Sequence, residues 1–135
     1  MIGSDSELSE QLVVELTVRD LDHSLALYTA LGFTLERRDG SFAALRWGDR
    51  RLFLDERREV RPVDAPARTE VDVNIRILVP EVDKLWAVAR RLELVVERPI
   101  GDRTYGLRDF MVLDPDGFGL RFASPLPEGG ATHIS

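Results

Sequence analysis

Cysteine is absent from this 135-residue chain, which removes disulfides, thiolate metal sites and cysteine nucleophiles together. Histidine is scarce. His23 and His133 are the only two, too few for a three-histidine metal site and badly placed for a Ser-His-Asp set. Lysine is nearly missing: Lys84 is the single one among 18 basic residues, and the rest are arginine. That bias reads as genome composition, so an arginine counts toward function only where its position argues for it. No apolar run approaches the 18 or so residues of a membrane span. The start, MIGSDSELSE, is polar and acidic, unlike a signal or transit peptide; a cytoplasmic protein without a membrane partner is the expectation. Gly101, Gly106, Gly117 and Gly119 are turn residues at the wrong spacing for a phosphate loop. The net charge of -6 repels phosphate backbones and argues against nucleic acid.

What is present is a repeat. Residues 13–40 slid 61 positions along fall on 74–101 with seven identities in 28 ungapped pairs. Val18 meets Val79, Asp22 meets Asp83, Ala26 meets Ala87, Leu31 meets Leu92, Glu36-Arg37 meets Glu97-Arg98, and Gly40 meets Gly101. Substitutions between them keep character, as Val14 to Ile75 and Leu16 to Ile77. Such self-similarity predicts one structural module used twice. With 44% hydrophobic residues the chain can bury a core as one compact domain or two tightly joined halves.

Residues 1–10 form a polar lead-in. The first module, 11–57, opens with a strand over 11–18, whose Val14, Leu16 and Val18 share one face while Val13, Glu15 and Thr17 share the other. Asp20 is placed to cap the helix DLDHSLALYTALG, with Leu21, Leu25, Tyr28 and Leu31 at helical spacing and Gly32 ending it. Strands over 33–38, 42–47 and 51–55 follow, the first two joined by the hairpin pair Asp39-Gly40. Residues 58–70, with Pro62 and Pro66, read as a connector. The second module, 71–124, repeats the order: strand 71–79, helix 80–92 with Pro80 in its first turn, then strands over 94–98, 109–114 and 118–123. A loop follows Pro99, and Val82, Leu85, Trp86 and Ala89 form the stripe expected to be buried. The tail 125–135 shows no apolar period. The fold class is α+β: two tandem βαβββ modules, each a curled mixed sheet with one face covered by its helix. The uncovered faces are expected to bound a cleft.

Three stretches give the chain a familiar look: V18-R-D-L-D-H-S-L-A-L-Y-T-A-L-G-F33, Y105-G-L-R-D-F110 and D114-P-D-G-F-G-L-R-F122. With the two modules they resemble the vicinal oxygen chelate superfamily, the glyoxalase, bleomycin-resistance and extradiol dioxygenase group, over residues 11–124. Within it the chain is similar to bleomycin-resistance proteins. Metal-dependent members hold a divalent ion on histidine and carboxylate side chains from each module's first and last strands. Carried over, those positions here are Val13, Phe53, Asn74 and Arg121. None is a histidine or a carboxylate, so the resemblance implies a member without metal or other cofactor. It also implies a homodimer.

The candidate ligand-binding residues are Val13, Glu15, Trp47, Phe53, Asn74, Arg76, Tyr105, Phe110 and Arg121. Trp47 and Tyr105 either flank a ligand or pack within the fold. Arg76 and Arg121 either pair with Glu15 or stand free for an anionic ligand. Besides a regulatory or immunity partner that binds a metabolite or another protein, two functions remain open. One is a metal-free protein that binds a small, antibiotic-like organic molecule by sequestration. The alternative is a metal-independent lyase or isomerase of the same superfamily, with Glu15 as base and Arg76 or Arg121 holding the developing anion.

Overall fold

The structure is a computed structural model that describes residues 12–58 and 73–127. The lead-in 1–10, the connector from 59 to 70 and the tail from 128, with His133, lie outside the described residues. Contacts divide the chain into two compact units, one for each copy of the repeat. The first unit contains β1 (Val14–Val18), α1 (Leu21–Leu31), β2 (Thr34–Asp39), β3 (Phe42–Trp47) and β4 (Arg50–Glu56). The second contains β5 (Asn74–Leu78), α2 (Val82–Arg91), β6 (Val95–Asp102), β7 (Leu107–Leu113) and β8 (Gly119–Pro125). Sheet order is β1-β4-β3-β2 in one and β5-β8-β7-β6 in the other, each first strand running parallel to its last. These are the two βαβββ modules and mixed sheets the repeat predicts. No helix among the described residues is long and apolar enough to cross a membrane.

The helices begin where tertiary partners meet their free N–H groups. Asp20 caps α1 by accepting from His23 N at 3.1 Å, and Leu21 N donates to Glu56 Oε2 at 2.9 Å. In the second copy Glu81 makes no side-chain cap. Val82 N instead donates to Ser124 Oγ at 2.9 Å, and that hydroxyl donates to Val79 O at 2.7 Å. Glu56 and Ser124 stand three residues beyond Phe53 and Arg121 respectively. In both units, therefore, the last strand reaches back to hold the start of the helix. Pro80, expected inside the first turn, precedes the helix.

Each core follows strand alternation. Leu16, Val18, Ala43, Leu45, Leu52 and Leu54 are buried on the side of α1, which adds Leu21, Leu25, Tyr28 and Leu31. In the second unit Ile77, Val79, Phe110, Val112, Leu120 and Phe122 are buried with Val82 and Ala89 of α2. Leu85 and Trp86 are only half-buried, although Trp86 packs on Phe110 with ring centroids 5.0 Å apart. One strand runs longer than its sequence suggests. β6 continues through Pro99 to Asp102, where a loop was expected. It is an edge strand, its register shifts between Arg98 and Gly101, and a proline at an edge bulge breaks no ladder bond.

The repeat extends to backbone irregularities. A bulge lies between Leu35 and Arg37 in β2, and its counterpart lies between Val96 and Arg98, 61 positions on. Both helices also end alike. Gly32 N donates to Thr29 O and Phe33 N to Tyr28 O; Glu93 N donates to Arg90 O and Leu94 N to Ala89 O. This paired pattern needs positive φ at its turning residue. Gly32 has φ 124°, and the equivalent Glu93, an exposed side chain, has φ 57°. A side chain in that region costs about 1 kcal/mol that glycine does not. Glu93→Gly is therefore expected to raise stability by about 1 kcal/mol in a denaturant titration, and a decrease of that size would contradict the assignment.

Candidate functional site

In the second sheet, Phe110, Val112, Leu120 and Phe122 turn toward α2, so their strand neighbours turn away from it. Asp109 and Met111 of β7 and Arg121 of β8 share that open face with Asn74, Arg76 and Leu78 of β5. The register places Arg121 beside Arg76 on one side and beside Met111 on the other. The loop from β6 to β7 folds back over this face. Its turn is closed by Arg103 N to Leu107 O at 2.7 Å and Gly106 N to Arg103 O at 3.2 Å, and Gly106 supplies the required positive φ of 88°.

Asp109 is the centre of the arrangement, with a carboxylate that is 0% exposed. Arg103 Nε donates to its Oδ1 at 2.7 Å. Tyr105 Oη donates to Oδ2 at 2.7 Å, Arg121 Nε donates there at 3.0 Å, and Arg121 Nη2 ion-pairs with the same oxygen at 2.9 Å. Arg103 Nη2 also reaches the carbonyls of Asp109 and Pro99. The Arg121 guanidinium lies 5.3 Å from the centre of the Tyr105 ring, and Arg98 Nη1 approaches Tyr105 Oη at 3.4 Å. Burial alone pushes the Asp109 carboxyl up. The hydrogen bonds from Arg103, Tyr105 and Arg121, with the charge of Arg121, outweigh burial and hold it below the usual aspartate range.

The open face of the first sheet differs. Glu15 lies in register with Phe53, which packs edge-to-face on Phe42 at 5.1 Å. Arg37 stands 5.4 Å from the centre of the Phe42 ring. Arg51 forks onto Glu36 through Nε and Nη2 at 2.6 and 2.8 Å, a pairing that holds the Glu36 carboxyl below its ordinary value. Val13, half-buried, sits just ahead of β1.

The nine sequence-derived residues thus separate. Arg121 pairs with Asp109 and not with Glu15. Among the described residues Arg76 and Glu15, both exposed, have no side-chain hydrogen bond or ion pair. Asn74 is exposed at the start of β5. Tyr105 faces Asp109 and Arg121. Trp47 lies on the helix side of its sheet, 5.0 Å from Phe33 and against Gly32. Phe110, grouped with the ligand residues by sequence, is a correction: it is 0% exposed beneath α2, packed on Trp86 and Phe122. Alternation along L107-R-D-F-M-V-L113 puts Phe110 on the helix face and Asp109 on the open one. Sequence reasoning missed Asp109, Arg103 and Arg98. The available signal was an aspartate set between Arg108 and the apolar run 110–113, a carboxylate that demands cationic partners once its strand position is buried.

The four positions at which the superfamily's metal-dependent members carry ligands do not fit a divalent cation. Val13 and Phe53 offer no donor, Asn74 only a neutral amide, and Arg121 a positive charge. Among the described residues no three His, Cys, Asp or Glu side chains cluster to hold one.

Replacing Asp109 by asparagine would leave Arg103 and Arg121, with side chains 18% and 22% exposed, without their counter-charge. The expected loss is about 2–3 kcal/mol, below the loss from a fully buried pair because both arginines keep some water. The pH dependence has a fixed sign. A carboxyl depressed in the folded state contributes stability that is complete above its unfolded pKa of about 4 and lost as pH falls through the lower folded value. Denaturant titrations should show wild type losing its advantage over Asp109→Asn only in acid. An advantage that persists unchanged to pH 2 would contradict the ionised cluster.

Comparison with known proteins agrees with this architecture. The family model for the Glyoxalase/Bleomycin resistance protein/Dioxygenase superfamily matches residues 11–122. An uncharacterized protein of Mycolicibacterium smegmatis is 37% identical over 128 residues, spanning 91% of this chain and 97% of its own. Among solved structures, a glyoxalase/bleomycin resistance protein/dioxygenase from Nocardioides superposes with a TM-score of 0.68 at 23% identity, covering 91% of this chain and 87% of that one. TioX from Micromonospora sp. ML1 gives 0.69 at 24%, covering 85% and 98%. At such identities the structures speak for the fold alone, while the family model covers most of the chain. The chain belongs to the glyoxalase/bleomycin resistance protein/dioxygenase superfamily.

Proposed function

We propose that this chain is a binding protein that sequesters a small organic molecule without transforming it. The observation that carries the reading is the state of Asp109 and Glu15, open-face carboxylates distinct from the arginine-paired Glu36 and Asp55. Asp109 is saturated by three donors and held ionised below its ordinary range, so it has no poised proton to exchange. Glu15 is exposed and lacks any partner among the described residues to orient it, whereas a general base acts from a fixed position. In the second unit, half-buried Tyr105 and Met111 beside a few directed polar groups suit binding. The lyase or isomerase reading would need Glu15 held toward a substrate and Arg121 available to an anion. Arg121 is engaged by Asp109.

We also propose a homodimer, in keeping with the superfamily resemblance. Leu92, Val95 and Val96, along the end of α2 and the edge strand β6, are 37%, 63% and 40% exposed, apolar area that a second copy would cover. Sedimentation equilibrium should give twice the chain mass, and a single-chain mass at micromolar concentration would reject the dimer.

The test of sequestration is equilibrium dialysis of the whole protein against a mixed library of small organic metabolites, with mass spectrometry of both compartments. At least one compound should concentrate with the protein while its total amount stays constant. A retained compound whose total falls as a new mass appears would replace binding by catalysis.

A further inference from the structure

We infer that the second unit's open face selects organic carboxylates, with Arg76 as the residue that receives the carboxylate and the apolar surface beside it receiving the ligand's body. This rests on the binding reading above and names its ligand class.

One pairing in the second sheet is disfavoured by the fold alone. Arg76 and Arg121 are register partners on adjacent parallel strands, roughly 5 Å apart in backbone spacing, and like charges directly opposite each other oppose strand pairing. Arg121 turns its charge onto Asp109, which it shares with Arg103. Arg76 has no such partner among the described residues. Arg98 adds a fourth guanidinium through Tyr105. Of the carboxylates among the described residues, Asp109 is the only one that hydrogen-bonds or ion-pairs with any of the four. A surplus of positive charge therefore gathers on one face of a chain whose net charge is -6.

An anion placed on Arg76 converts that repulsion into attraction. The guanidinium fork matches a planar carboxylate through two parallel hydrogen bonds. Two residues along the same strand and on the same face, Leu78 is 54% exposed, about 7 Å from Arg76. A carboxylate joined to an apolar body meets both at once. A hydrated phosphate dianion would find one free fork and an apolar neighbour, a poor exchange for its water. A residue that breaks a local pairing rule without structural compensation is where a ligand requirement shows.

The probes are 2-naphthoate, its neutral analogue 2-naphthalenemethanol, the cation 2-naphthylmethylammonium, and inorganic phosphate. Each is titrated calorimetrically into the full chain at low salt, with the arginine Nε–H signals followed by NMR. Naphthoate should bind at least tenfold more tightly than the alcohol and shift the Arg76 signal. Phosphate at the same concentration should not displace it. Arg76→Gln should reduce the naphthoate preference to within twofold, while Arg91→Gln, an exposed arginine on α2, preserves it. The Arg76→Gln protein should unfold at a temperature no lower than wild type, since a repulsion is removed; a structural role for Arg76 would lower it. Equal binding of naphthoate and alcohol, or an undiminished preference in Arg76→Gln, overturns the carboxylate assignment and leaves small-molecule binding standing. Tighter binding of the ammonium probe, or full displacement by phosphate, also overturns it. If none of the three aromatic probes binds, the carboxylate assignment falls, and the library dialysis decides the binding reading on its own.

Discussion

A carboxylate taken out of water in the middle of a strand loses several kcal/mol of solvation unless the protein supplies equivalent donors. Asp109 is in that position, and Arg103 and the Tyr105 hydroxyl of the loop from β6 to β7, with Arg121 of β8, are all arranged around meeting its demand. Arg103 spans from the loop to β7, and its second bond to the Pro99 carbonyl ties the bulged stretch of β6 to the same point. Arg121, paired with the same carboxylate, stands 5.3 Å from the centre of the Tyr105 ring. Without Asp109, two guanidinium groups would face each other on a small sheet. With it, the face has a fixed floor and one uncommitted charge at its edge, Arg76.

The two copies of the module have diverged in what each gives up. The first keeps glycine where its helix turns out, buries six positions of α1 including Ser24, and closes its open face with the Glu36–Arg51 fork. The second places Glu93 at the strained turn, buries only two positions of α2, and leaves cations unmatched on its open face. Three departures from local preference in the second copy have no counterpart at the same places in the first. Ser24 is a departure of the opposite kind: its hydroxyl is buried with no hydrogen-bond partner, and nothing in the structure explains it.

Much of the fold was legible because it is written in periodicities. The 61-residue repeat, the alternation of Leu16, Val18, Leu52 and Leu54, and Asp20 before an amphipathic run each specify a local geometry with one good solution. The expected β3 matches the observed one, Phe42–Trp47, residue for residue. Legibility ends where partners are distant in sequence. Ser124 capping α2 and Arg121 closing on Asp109 join residues 42 and 12 apart, and no local pattern announces such a bond. The placement of Phe110 among the ligand residues has the same origin. Within a motif shared with relatives, the identity of a residue suggests importance, but only the phase of the strand says which side it serves. Pro99 misled for a simpler reason: proline ends most strands, and an edge bulge is the exception.

Charge on the second open face is divided unequally, with Arg103 and Arg121 committed to Asp109 and Arg76 without an ion-pair partner among the described residues. The rotation of each guanidinium group in the ligand-free protein reads that division directly, through arginine 15Nε and 13Cζ NMR. Slow, hindered rotation is expected for Arg103 and Arg121, with free rotation for Arg76. A restrained Arg76, or an Arg121 that rotates freely, would contradict the account at its centre.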